Sequence, residues 1–279
     1  MTGPSMSVPR RPWGRVSALV RLVASTGLVL DVVARKRVEP VSLLITGPPG
    51  TGKTECLKRF KVNNGLDFKD DLTWMGLVDE LQLAHRGVIS HIVFPELNKV
   101  LDRRDDVWQN CMSLLGQAIE DGVFDAQVGN RKIRLDGVRI GMIAGITGDS
   151  WDNIRDYFKS KGLASRILVV KWEESVSDDR RVMQRSGRGE MGDLRPMRLP
   201  TVDDPPVPIR IPQNVADALE EFVVSNYLHD RKRRFFQFRA MTCAAALIRV
   251  GQGARVVTPS DWRYVMSFRD AWKHEEIGK

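Results

Sequence analysis

One stretch of eight residues constrains this chain more than any other. Gly47, Pro48, Pro49, Gly50, Thr51, Gly52, Lys53 and Thr54 match the pattern G-x-x-x-x-G-K-[ST], a loop whose glycines let the backbone turn around a phosphate. The apolar run Val41 to Thr46 precedes it, bounded by Pro40 and Gly47 in the manner of a buried strand, and a helix is expected from Glu55. In that order, successive N–H groups wrap the phosphates and the following helix aims its positive end at them. Lys53 then reaches the β and γ phosphates, and the Thr54 hydroxyl is free to ligate Mg²⁺. A chance glycine-rich turn is the alternative, and the flanking strand and helix argue against it.

The rest of the chain fits a fold built around such a loop. Strand-like runs recur at Leu72 to Met75, Ile89 to Phe94, Val138 to Ile143 and Ile167 to Val170, separated by helical spacing such as Val107 to Ile119. Alternating strands and helices predict an α/β architecture, a parallel sheet sandwiched by helices. Residues 1–13, rich in Pro and Arg, read as a mobile tail and 14–172 as the core. Residues 173–212 carry glycines and then six prolines between Pro196 and Pro212, which reads as a linker or mobile loop. Residues 213–279 then read as a small all-α domain, with Thr258, Pro259, Ser260 and Asp261 as the cap and first turn of one helix.

Near the start, Val16 to Ala34 imitates the apolar region of a secretory signal. Arg21 and Asp31 leave only nine uncharged residues between Leu22 and Leu30, far below the roughly 20 that span a bilayer. The spacing of Val16, Leu19, Val20, Val23 and Leu30 is that of one helical face. With a mean hydropathy of -0.25, the expectation is a soluble protein with no membrane partner. The three cysteines, Cys56, Cys111 and Cys243, show no CxxC spacing, so neither a disulfide framework nor a zinc knuckle is indicated and a reducing cytoplasm fits.

The wording GPPGTGKT resembles the Walker A motif of AAA+ ATPases. That resemblance implies a P-loop NTPase sheet with a C-terminal helical lid, ATP and Mg²⁺ as cofactors, and assembly into a ring, most often a hexamer. It also implies a carboxylate after a later strand. Ile89 to Phe94 is followed by Pro95 and Glu96, so Glu96 matches the residue that polarises the attacking water. Pro95 departs from the family pattern, standing where an Asp usually holds the Mg²⁺ water shell. The rival run Met75 to Glu80 offers Asp79 and Glu80, but only 26 residues separate Lys53 from Asp79 against 43 for Glu96. Asp79 and Glu80 otherwise read as a solvated helix face.

Further matches follow in order. Leu114 to Phe124, with Glu120, Asp121 and Gly122, resembles the segment after the Walker B strand in MCM-type helicases and enhancer-binding activators. The alternation of Phe124, Ala126 and Val128, the Gly129-Asn130 turn, and Ile133 and Leu135 predict a β-hairpin. In those branches a hairpin at this point projects into the ring's pore, which makes Arg131, Lys132 and Arg134 the nucleic-acid candidates. Thr147 matches sensor 1, usually Asn at the end of its strand, and can also simply end a strand. Arg166 matches the arginine finger that reaches a neighbour's ATP, or caps a helix. Arg239 matches sensor 2 in the lid, with Arg234 in reserve.

Charge bears on the partner. Residues 1–60 hold 10 basic and 3 acidic side chains, 61–209 hold 21 and 24, and 210–279 hold 12 and 8. The net +8 therefore resides at the ends, which fits contact with a polyanion. The run Arg231 to Arg239 mixes cations with Phe235, Phe236 and Phe238. It suits phosphate contact and base stacking, but a helix with Phe buried and Arg in water gives the same letters and is the preferred reading. The expectation is an ATP-driven ring motor on DNA. A weakly hydrolysing scaffold or loader and a protein-remodelling ATPase are the alternatives, each implying protein partners.

Overall fold

Six consecutive buried residues, Ser42–Gly47, form the strand at the heart of the molecule (β1). A strand buried on both faces has to be covered by helices on both sides. The computed structural model describes residues 12–30, 39–128, 131–172, 195–201, 208–251 and 253–272. Within them β2 (Leu66–Phe68), β3 (His91–Phe94), β6 (Gly141–Thr147) and β7 (Ile167–Lys171) join β1 in the order β2-β3-β6-β1-β7. Every pairing in this sheet is parallel.

Helices α1 (Pro12–Thr26) and α2 (Lys53–Lys58) cover one face, and α3 (Trp74–His85), the short α4 (Asn98–Leu101), α5 (Asp105–Glu120) and α6 (Gly148–Ser160) belong to the other side. Among the described residues four more helices follow: α7 (Gln213–Asn226), α8 (Arg231–Val250), α9 (Pro259–Met266) and α10 (Arg269–Trp272). The period of the strand sorts the core. Leu43 and Ile45 of β1 point into a cluster with Leu22 and Val23 of α1 and Met241 and Ala245 of α8, while Leu44 points to the opposite cluster with Leu77, Met112 and Phe158. Each fully buried Leu, Ile or Phe here contributes about 1.5–3 kcal/mol.

The C-terminal helices thus share one apolar core with a face of the sheet. α8 lies against α1, and a buried ion pair ties it to α9: Arg249 grips Asp261 at 2.8 and 2.9 Å. Asp261 also accepts the Thr258 backbone N–H at 2.8 Å, so the expected cap at Thr258 is present.

Several expectations need correction. The tail expected over 1–13 gives way to α1 from Pro12, residues 1–11 lying outside the described residues. No strand forms at 72–75; Thr73 caps α3 by accepting the Gly76 N–H, and Trp74 and Met75 open the helix. In the expected linker, 173–194 and 202–207 lie outside the described residues, but 195–201 is fastened to the end of α2. Met197 N–H donates to the Arg59 carbonyl and Leu199 N–H to Asn63 Oδ1, both at 2.8 Å. The predicted hairpin is present as β4 (Val123–Val128) and β5 (Arg131–Val138), antiparallel and separate from the main sheet.

Candidate functional site

The C-terminal ends of β1, β3 and β6 converge because the strands are parallel and in register, Gly47 beside Thr147 and Phe94 beside Ala144. The loop after β1 turns through Gly50 and Gly52, with φ of 76° and 78°, a region that residues with a Cβ enter at a cost. Pro48, Pro49 and Gly50 are exposed, whereas Thr51 and Lys53 are buried beneath them. Lys53 Nζ donates to the Gly47 carbonyl at 2.9 Å, the Pro48 carbonyl at 2.5 Å and Thr51 Oγ1 at 3.2 Å. The lysine therefore sits under the loop, its ammonium already held by the loop's own oxygens.

Thr54, on the first turn of α2, faces the end of β3. Its hydroxyl donates to the Pro95 carbonyl at 3.3 Å and lies 3.5 Å from Glu96 Oε1. The other Glu96 oxygen pairs with Lys99 at 3.0 Å. The turn carrying Glu96 is pinned to β6, since Leu97 N–H donates to the Gly145 carbonyl at 2.8 Å. A Cβ at Gly145 would stand 2.8 Å from the Pro95 carbonyl, so only glycine allows this approach. Thr147 ends β6 and caps α6, accepting the Ser150 N–H at 3.4 Å, donating to Ser150 Oγ at 2.8 Å and accepting Asn98 Nδ2 at 3.3 Å.

Lys53, Thr54, Glu96 and Thr147 thus gather at one end of the sheet. The rival carboxylates do not join them. Asp79 is exposed on α3, but Glu80 on the same helix is buried, which corrects the expectation of a solvated pair. Lys69 holds Glu80 at 2.6 Å and Asp67 at 3.0 Å. Burial first, and a hydrogen bond that the protonated Glu80 donates to Asp67 second, push the Glu80 carboxyl up to about 7, the lysine opposing both.

Arg166 lies elsewhere. It closes a short 3-10 turn, Ala164–Arg166, directly before β7, whose first residue Ile167 pairs with Ser42. That is the end of β1 opposite Gly47. There Glu120, last in α5, accepts hydrogen bonds from both Arg166 and Arg233. Burial pushes the Glu120 carboxyl up, but the two guanidinium groups outweigh it and hold it below its usual range. Arg233 also reaches Ser165 and Asp230, and Gln237 donates to the Arg166 carbonyl at 3.0 Å. Arg239 is half-buried on α8, two residues beyond Gln237.

The head of α8 also departs from expectation. Arg233 and Arg234 turn inward, Arg234 against Gln237 and 5.6 Å from the Tyr227 ring centre, while Phe236 is 51% exposed. On the hairpin, Lys132 pairs with Asp125 at 3.3 Å and Arg134 with Asp136 at 2.7 Å, beside Phe124, which is 63% exposed. Arg131 opens β5, and its side chain lies outside the described residues. Asn98, Lys99, Glu120 and Arg233 were not singled out by sequence reasoning as functional. The i,i+3 spacing of Glu96 and Lys99 was the one local signal available.

No family model matches the chain, and no curated protein matches it. Among the described residues, no cluster of His, Cys, Asp and Glu could hold a metal by itself, and no helix is long and apolar enough to cross a membrane.

Proposed function

We propose that the chain is a P-loop NTPase of the AAA+ kind, an ATPase that works as a ring of identical subunits, most simply a hexamer, in the cytoplasm. The observation that carries this reading is the meeting of Thr54, on the helix after the glycine loop, with Glu96 at the end of β3, 3.5 Å apart above Lys53. ATP would lie along the loop residues Gly47, Pro48, Pro49, Gly50, Thr51, Gly52, Lys53 and Thr54, its phosphates accepting N–H groups at the start of α2. Lys53 would exchange loop carbonyls for phosphate oxygens; Arg239, on the same helix as Gln237 and so on the Arg166 side of the sheet, would act on a neighbouring subunit's ATP together with Arg166. Thr54 is a suitable oxygen donor for Mg²⁺, which commonly takes one or two protein ligands and completes its shell with phosphates and water. When bound, Mg²⁺ neutralises charge on the β and γ phosphates.

In the reaction, a water held by Glu96 on the side of Thr147 attacks the γ-phosphorus and gives its proton to Glu96. The bond to the bridging oxygen breaks, and ADP and phosphate leave. Arg166 from a neighbouring subunit would stabilise the charge developing on the γ-phosphoryl group. DNA is the proposed track, supported by the basic ends and the hairpin with Arg131, Lys132 and Arg134. Pro95 supports a second reading: without an Asp before Glu96, the chain would bind ATP, assemble and hydrolyse slowly as a scaffold or loader.

The test is ATP turnover with and without single- and double-stranded DNA, for the native chain and Glu96→Gln. DNA-stimulated turnover abolished by the substitution supports the motor. Negligible turnover with ATP-dependent assembly supports the scaffold, and turnover indifferent to DNA but raised by a protein supports a remodeller.

A further inference from the structure

The site contains an amide that the reading above does not use. Asn98 begins α4, two residues after Glu96, and its Nδ2 donates to Thr147 Oγ1 at 3.3 Å. The orientation of this amide follows from valence. The single hydroxyl proton of Thr147 is directed to Ser150 Oγ at 2.8 Å, and its oxygen also receives the Ser150 N–H. It can therefore only accept from Asn98, which leaves the Asn98 carbonyl oxygen on the other side of the amide. That oxygen, Oδ1, is buried and has no hydrogen-bond partner among the described residues.

A buried acceptor without a donor costs about 1–3 kcal/mol, and such groups concentrate where a ligand or water supplies the missing bond. Pro95 rigidifies the same turn but brings no side-chain acceptor, and position 147, where the resemblance leads one to expect Asn, carries Thr.

We propose that Asn98 supplies the amide of the water-positioning pair, acting together with Thr147 rather than Thr147 acting alone. This rests on the ATPase reading above. Asn98 Nδ2 fixes the Thr147 hydroxyl, and Asn98 Oδ1 accepts one O–H of the attacking water. The other O–H of that water points to Glu96, which takes the proton as the oxygen attacks. The amide itself neither gains nor loses a proton. Asn98 is then a water-positioning residue whose contribution is made to turnover and not to nucleotide affinity.

The experiment compares the native chain with Asn98→Leu, which removes both ends of the amide at similar size, and Asn98→Asp, which keeps the acceptor and lets the Thr147 hydroxyl turn to donate. Binding is read with a fluorescent ATP analogue, turnover by phosphate release, and folding by circular dichroism, with Lys53→Ala as the non-binding control. The expected result is a kcat about 100-fold lower in Asn98→Leu, KM and analogue affinity within about threefold of native, and a kcat in Asn98→Asp at least tenfold above that of Asn98→Leu. A kcat in Asn98→Leu within threefold of native overturns the proposal, as does a loss confined to KM, or an Asp variant no better than the Leu variant. Should Asn98→Leu fail to fold, the comparison of Asn98→Asp with Thr147→Val decides: only retention by Asp and loss by Val supports the pair. Native protein that binds the analogue without turning it over overturns this inference and leaves the nucleotide site standing. Native protein that does not bind it overturns the ATPase reading itself.

Discussion

Strand β3 begins at His91 and leads at its other end into the turn with Glu96, and the histidine gives the strand a pH dependence that can be worked out. His91 is fully buried, donating Nε2–H to the Val41 carbonyl at 3.1 Å with Nδ1 2.9 Å from Ser90 Oγ. Burial pushes its pKa down from 6.5 to about 4, the Val41 hydrogen bond opposing. A depressed histidine stays neutral in the folded chain while the unfolded chain protonates. Its contribution is therefore complete above pH 6.5 and is lost as pH falls toward 4. Over that interval the loss approaches 1.36 kcal/mol per pH unit, about 3 kcal/mol in all, a large share of the roughly 5–15 kcal/mol that holds a domain.

The native chain should not show this slope in full, because Glu80 works in the opposite sense. Its folded pKa is raised from 4.5 to about 7, so its contribution is complete below pH 4.5 and is lost as pH rises through 7. Between pH 6.5 and 4.5 one group loses stability on acidification while the other gains it. The perturbation that separates them is Glu80→Gln, which keeps the shape and removes the titration. Urea denaturation at half-unit steps should give a nearly flat native profile from pH 6.5 to 4.5. The variant should lose about 1.4 kcal/mol per unit, some 2 to 3 kcal/mol over the interval. A flat profile in Glu80→Gln would refute the assignment of a neutral, buried His91, and a full slope in the native chain would refute the raised Glu80.

Three other substitutions test the framework around the site. Gly145→Ala puts a Cβ 2.8 Å from the Pro95 carbonyl; if the Glu96 turn moves by about 1 Å, ATP turnover should fall on the order of 100-fold with nucleotide binding retained, as measured by phosphate release and fluorescent-analogue titration. Arg249→Leu leaves Asp261, which is fully buried, without its bidentate partner and should cost about 3–5 kcal/mol, read as a lower urea midpoint at unchanged m-value. Arg166→Ala should lower turnover about 1000-fold without weakening ATP binding, and mixing it with the non-binding Lys53→Ala should restore activity, since one chain supplies the intact nucleotide loop and the other the arginine. Mixtures as inactive as their components would count against action between subunits.

How far the sequence could be read depended on whether the deciding contact is local. Val41 to Gly47 announced itself by a mostly apolar run and a glycine loop, both properties of neighbouring residues. Leu72 to Met75 misled because Thr, Trp and Met fit a strand equally well, and the Thr73 bond to the Gly76 N–H decided otherwise. Strand β2, three residues long, is too short to display any period. Glu80 appeared solvated because its partner Lys69 lies 11 positions away, before α3. In the site, Glu96 was visible as the carboxylate after a hydrophobic strand. Asn98 was not, because its role depends on β6 arriving beside it 49 residues later. Arg233 was not either, because nothing near it in sequence indicates Glu120.

The two ends of β1 impose a further condition on the proposed chemistry. Lys53 lies beyond Gly47 and Arg166 beyond Ser42, so the strand's length, roughly 17 Å at about 3.3 Å per residue, separates them within one chain. An arginine side chain does not bridge that distance, so any phosphate that Arg166 meets belongs to another copy. In the isolated chain Arg166 is occupied by Glu120. Leaving a partly buried carboxylate without any cation is unfavourable, which would hold the arginine in place if Glu120 had no second partner. Arg233 holds the same carboxylate, so Arg166 can exchange it for a phosphate while Glu120 keeps a cation. Because Arg233 comes from α8, the freedom of Arg166 to engage a neighbour depends on where the C-terminal helices sit, and displacing α8 from Glu120 should hold Arg166 back on its own chain.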